Sequence, residues 1–121
     1  MKILADATGL ASNREYILVS PEALERKPDQ IRKFLETYRS TTDWGIANPQ
    51  ERTRILAPEL KIDEPTTARA LARSAKPLAP VTPEIGAELQ AIADGFTELE
   101  LVPGKVDMLS LVDDQFSEVL R

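Results

Sequence analysis

The sequence predicts an α/β chain that is mostly α: about six helices and two short strands, forming a single partial domain over residues 1–121. Three observations carry that expectation. Prolines stand at the starts of segments with apolar residues at helical spacing, as at Ser20-Pro21, Asn48-Pro49 and Thr82-Pro83, where a missing N–H costs nothing in the first turn. Only two runs, Lys2–Ala5 and Tyr16–Val19, read as strands, and two short strands alone are marginal in water. Several helix positions expected to face inward are small, Ala68, Ala72 and Ala93, as on helices packed closely against a flat surface or each other. Together these describe one face of a larger α/β sheet whose other strands lie elsewhere. A free-standing helical domain is the alternative.

Along the chain, Lys2–Ala5 and Tyr16–Val19 flank a small, polar stretch containing Gly9, read as a loop. Pro21 to Arg26 reads as a short helix, and Pro28 opens a longer one in which Ile31, Phe34, Leu35, Tyr38 and Thr42 share a face. Trp44 falls on the opposite side of that helix, so a second buried surface is expected there. Asn48-Pro49-Gln50-Glu51 has the form of a capping box, opening a helix that Pro58 should close. Asp63 should cap the next helix, with Ala68, Leu71, Ala72 and Ala75 inward. The longest clean amphipathic segment follows Thr82-Pro83: Ile85, Leu89, Ile92, Ala93 and Phe96 form one stripe, stopped by Pro103-Gly104. The centre of the core is expected on that stripe. Ser110 should cap a last helix whose buried edge is Val112, Phe116, Val119 and Leu120.

Composition excludes several functional classes. A net charge of −5 repels phosphate backbones, and no basic stripe offsets it, so nucleic acid is not expected as a partner. The chain has no Cys and no His, which removes thiol nucleophiles, imidazole bases and the usual zinc or copper ligands. No run approaches the ~18 apolar residues of a membrane span, and MKILADATGL does not have the form of a signal peptide.

Paired carboxylates, Asp113-Asp114 with Glu118 and Glu98 with Glu100, alternate with helical apolar stripes and read as solvated faces rather than an acid–base pair. Arg69, Arg73 and Lys76 form a basic edge at a helix C-terminus, where cations are favoured in any case. Trp44 and Tyr38 read as core aromatics. Asn13-Arg14-Glu15, just before the second expected strand, is the polar cluster that stands out, at a loop-to-strand junction of the kind that gathers ligand contacts in α/β sheets. No catalytic set is apparent; the chain is expected not to be an enzyme and to carry no cofactor or metal.

Read end to end, the chain resembles the C-terminal part of a periplasmic substrate-binding protein of the aliphatic sulfonate, taurine or nitrate type, serving an ABC importer. The likeness is carried by Leu4-Ala5-Asp6 with Gly9-Leu10, Asn13 to Ser20, Glu22 to Leu35, and Trp44 with Asn48-Pro49-Gln50-Glu51 and Leu56-Ala57. Most specific is Gln90-Ala91-Ile92-Ala93-Asp94-Gly95-Phe96 followed by Leu99, Leu101, Val102, Pro103, Val106 and Asp107; Glu100 stands where a glycine is common. The resemblance implies part of a lobe of a type II periplasmic binding protein, closing on a small organic anion in the cleft and delivering it to a membrane permease. It implies a periplasmic location, although this chain shows no export signal, and ligand contacts from Asn13 and Glu15. Glu15 would suit an ammonium or guanidinium group on the ligand. A homodimer through exposed strand edges is a further expectation. The rival reading is a free-standing helical module that binds a protein partner through the Ile31/Leu35/Tyr38 face.

Overall fold

The structure, a computed structural model, describes residues 12, 14–74 and 76–120. Among the described residues five α-helices run in chain order: α1 Pro21–Arg26, α2 Pro28–Ala47, α3 Pro49–Leu60, α4 Glu64–Ser74 and α5 Pro83–Glu98, with a 3₁₀ turn at Leu109–Leu111. Among the described residues there is no strand or sheet, so the expected α/β class is corrected to all-α. Tyr16–Val19 is extended but has no neighbouring strand among the described residues to complete a ladder; β-forming side chains do not make a strand without a partner's peptide groups. Lys2–Ala5 lies outside the described residues.

Helix starts follow the sequence closely. Ser20 Oγ accepts from Ala23 N at 3.3 Å, Thr82 Oγ1 accepts from Ile85 N at 3.4 Å, and Asp63 Oδ1 accepts from Thr66 N at 2.9 Å. Each occupies a first-turn N–H that the helix itself cannot satisfy. The Asp63 carboxyl is held below its ordinary pKa chiefly by the Thr66 N–H. Asn48 departs from the pattern: its amide turns back and donates to Trp44 O at 2.8 Å, while Glu51 pairs with Arg54 at 2.6 Å, so the expected capping box does not form.

Helix ends are less faithful to expectation. Pro58 sits inside α3, and the helix continues to Leu60. Closure comes instead from Lys61 in the left-handed region (φ 56°), with Lys61 N and Ile62 N returning to Pro58 O and Ala57 O. The same device ends α5, where Glu100 adopts φ 56° and Leu101 N reaches Phe96 O at 2.9 Å. The glycine-like position noted in the sequence therefore keeps its glycine-like conformation while carrying a glutamate.

The expected last helix is replaced by short turns. Asp107 Oδ1 accepts from Leu109 N and Ser110 N, Ser110 Oγ donates to Asp107 O, Asp113 Oδ1 accepts from Gln115 N, and Ser117 Oγ donates to Asp114 O. These local side-chain bonds compete with the helical ladder and win. The apolar edge assigned to that segment is nevertheless correct: Phe116 and Val119 are buried, and Val112 and Leu120 are half-buried.

The core is small and lies on α2, not α5. Leu35, Phe116 and Val119 are buried together, with Leu24, Ile31, Leu78 and Leu120 packed around them. Arg32 pairs with Glu118 and places its guanidinium 5.5 Å from the centre of the Phe116 ring, and Arg39 donates to Val119 O at 2.7 Å. The C-terminal turns are thus fastened to α2 by both apolar and charged contacts. A second packed region joins α3 to α4 and to the end of α2, with Thr53, Ala57 and Thr67 buried. Thr67 and Leu71, not Ala68 and Ala72, face inward on α4; Ala75 lies outside the described side chains.

The stripe on α5 does not form the centre of the core. Ile85 and Leu89 are half-buried, but Ile92 and Phe96 are 55% and 48% exposed, because among the described residues no layer faces the second half of the helix. Trp44 on α2 is likewise exposed rather than buried in a second surface. The chain's accessible surface is 9952 Å², about half again the ~6,500 Å² that size scaling gives for a compact monomer of this mass.

Candidate functional site

The two residues singled out from the sequence are not brought together into a pocket. Asn13 lies outside the described residues. Glu15 is exposed on the extended segment and makes no ion pair or hydrogen bond among the described residues. Their neighbour Arg14 is engaged: its Nε donates to Glu88 Oε2 at 3.0 Å, and Lys76 Nζ donates to Ser12 O at 2.9 Å. Hydrogen bonding from Arg14 holds the Glu88 carboxyl below its ordinary pKa, with Ser12 and Lys76 acting in the same direction. This clasp spends the local charge on holding the extended segment against α5 and the connector that precedes it.

Two surface recesses stand out among the described residues. The first, about 380 Å³, opens between α2 and the C-terminal turns. It presents the guanidiniums of Arg32 and Arg39 but also the carboxylates of Glu36, Asp43 and Glu118. Three carboxylates outweigh two guanidiniums that are already committed to Glu118, Asp43 and Val119 O, so the recess repels a free anion.

The second recess, about 520 Å³, lies where the end of α2 meets the starts of α3 and α4. Its walls include Ile46, Pro49, Pro65 and Leu71, with Arg52 and Glu64 at polar positions. Gly45 matters here, because a Cβ at that position would stand 3.1 Å from Arg52 Cδ; the bare backbone lets the arginine stem lie along α2. Arg52 makes no ion pair among the described residues. Apolar walls beside an uncommitted guanidinium can hold a small amphiphilic anion, though the recess is open. Sequence reasoning missed Arg52 and Glu64. The available signal is their place one turn beyond Asn48-Pro49 and one residue beyond Asp63, at the starts of two successive helices.

Three polar or backbone positions along α5 and the segment after it, Gln90, Asp94 and Val106, are joined in one hydrogen-bonded unit. Gln90 on α5 uses its whole amide: Nε2 donates to Asp94 Oδ1 and to Val106 O, both at 2.9 Å, and Oε1 accepts from Met108 N at 2.8 Å. Thr97 Oγ1 adds a contact to Gly104 O at 3.1 Å. Gly86, one turn before Gln90, lets the 3₁₀ turn approach, since a Cβ there would overlap Leu109 Cδ2. The returning segment is therefore latched along α5 by side-chain amide and hydroxyl groups instead of by apolar burial.

Among the described residues, no group of three or more carboxylates is gathered as a metal site would require, and no helix is long and apolar enough to cross a membrane. No family model, no curated protein and no solved structure matches the chain.

Proposed function

We propose that the chain is the helical, C-terminal part of a solute-binding component of an ABC transporter, non-enzymatic and serving aliphatic sulfonates or related small anions outside the cytoplasm. The observation that carries this reading is the Gln90 latch. Gln90, Asp94 and Val106, three positions that the sequence shares with the resembled family, form one hydrogen-bonded unit. The uncovered apolar half of α5, Ile92 and Phe96 with Leu99 and Leu101 beyond it, fits a helix whose facing layer belongs to the rest of a two-lobed protein.

Calorimetric titration with taurine, ethanesulfonate and nitrate, with chloride as the control, tests the reading. Saturable heat with a sulfonate and none with chloride is the expected result. A stable monomer giving no heat with any of the anions favours the rival.

That rival is a helical module with a protein partner, and one observation favours it. Of the Ile31/Leu35/Tyr38 face expected to bind, Leu35 and Ile31 are taken into the core, but Tyr38 remains exposed and forms a tilted ring pair with the exposed Phe34, centroids 5.8 Å apart. Aromatic pairs of this kind are common anchors in protein interfaces.

A further inference from the structure

The recess between α2, α3 and α4 presents one charge of each sign. Arg52 and Glu64 both line it, yet they are not ion-paired with each other. Arg54 is near enough to Glu64 for the two charges to interact, but its guanidinium is hydrogen-bonded to Glu51 at 2.6 Å. The rest of the lining is mainly apolar, with Ile46 contributed by α2 and Leu71 by α4. At about 520 Å³ the space falls within the range of small-molecule sites.

Local structure holds both charges in place. The Arg52 stem lies against the bare backbone of Gly45, where a Cβ would stand 3.1 Å from its Cδ. A half-buried stem packed in this way has given up part of its rotamer freedom before any ligand arrives. Glu64 begins α4 and is followed by Pro65, whose ring fixes the backbone of the first turn. Ala68 and Ala72, one and two turns further on, continue the α4 wall with nothing larger than a methyl group.

We propose that this recess binds a free hydrophobic α-amino acid, with its carboxylate on Arg52, its ammonium on Glu64 and its side chain against Ile46 and Leu71. The occupant follows from charge complementarity. A simple anion gains Arg52 but is opposed by Glu64, and a simple amine meets the reverse; a zwitterion satisfies both. A guanidinium suits a planar carboxylate through paired N–H bonds. The apolar walls suit a branched aliphatic side chain. This assignment goes beyond the sulfonate reading and does not require it.

The test is an NMR titration of the full chain with L-leucine up to about 20 mM, alongside isocaproate, which lacks the amine, and isoamylamine, which lacks the carboxylate. The expected result is a saturable shift of the Gly45, Ile46, Arg52, Glu64 and Ala68 amides by leucine, with Kd near 1 mM, roughly what an open recess supports. Each analogue should bind at least about tenfold more weakly. Arg52→Met keeps the packed stem and should leave leucine binding no tighter than isoamylamine; Glu64→Gln should leave it no tighter than isocaproate. Both variants should keep the helical circular dichroism of the unaltered chain. Absence of a saturable shift at these amides overturns the proposal. So does an analogue that binds as tightly as leucine, or a folded variant with unchanged leucine affinity. Sulfonate titration alters none of these readouts, so failure here is distinguishable from failure of the transport reading.

Discussion

Two amphipathic helices of similar length, α2 and α5, meet different fates. On α2, Leu35 is buried under Phe116 and Val119, and two arginines reinforce the contact from either side. On α5, an equally regular stripe is half-covered at its start and open at Ile92 and Phe96, and the segment packed beside it is held by Gln90 and Thr97. An apolar stripe records what a helix is able to bury; whether it does so depends on another element arriving at the right height. The open half of α5 is for that reason a surface awaiting a layer in the reading proposed here.

The sharpest way to break the contrast is to remove an aromatic ring from each side. Phe116→Ala should cost about 3 kcal/mol, the low end for a buried aromatic given the small core. Phe96→Ala should cost under about 1 kcal/mol, since its ring is half in water already. Urea unfolding of both variants measures the difference, and equal losses would erase the distinction between the helices.

Next in size is the latch. Gln90→Leu keeps the volume and removes both donor and acceptor, leaving Met108 N and Val106 O without the amide; a loss of about 1–2 kcal/mol is expected. Faster amide exchange should be confined to residues 104–109 and the facing turn of α5.

A gain is expected on α4. Thr67 is 1% exposed and its Oγ1 has no hydrogen-bond partner among the described residues. Thr67→Val replaces the hydroxyl with a methyl of similar size and should stabilise the α3–α4 pair by about 1 kcal/mol. A smaller gain, about 0.5–1 kcal/mol, is expected for Glu100→Gly, which relieves a left-handed non-glycine residue at the end of α5. Thermal unfolding of the two variants reads both gains.

The smallest effect is one of pH. The Asp63 carboxyl is more acidic folded than unfolded because the Thr66 N–H favours its charged form. Its contribution is therefore present above the ordinary Asp range, about pH 3.9, and is lost as pH falls through its lower folded value. Fraying at the start of α4 should appear in amide shifts of Thr66 and Thr67 on acidification, and Asp63→Asn should remove that titration.

Much of the helix count was legible in the sequence, because helix starts are local. Ser20, Asp63 and Thr82 act within three residues of themselves, and Pro21, Pro28, Pro49 and Pro83 each open a helix where expected. Helix ends were less legible. Pro58 looked like a stop, yet Lys61 in a left-handed conformation provides it, and a lysine does not announce that conformation. The final segment kept its apolar spacing but lost its helix to Asp107, Ser110, Asp113 and Ser117, whose short side chains bond the nearby backbone. Strands could not be judged locally at all: Tyr16–Val19 has the composition of a strand, and pairing is a property of two segments. The site was the least legible part. Glu15 is placed on an exposed segment, and the stem of Arg52 lies close against Gly45, seven residues earlier, where a Cβ would stand 3.1 Å from its Cδ.

Amide hydrogen exchange across the whole chain tests the central contrast most directly. Amides of α2 around Leu35 should exchange slowest, and those of α5 from Ile92 to Phe96 should exchange faster through local opening. Equal, maximal protection of α2 and the second half of α5 would contradict the account, since it would mean that the apolar face of α5 is already covered.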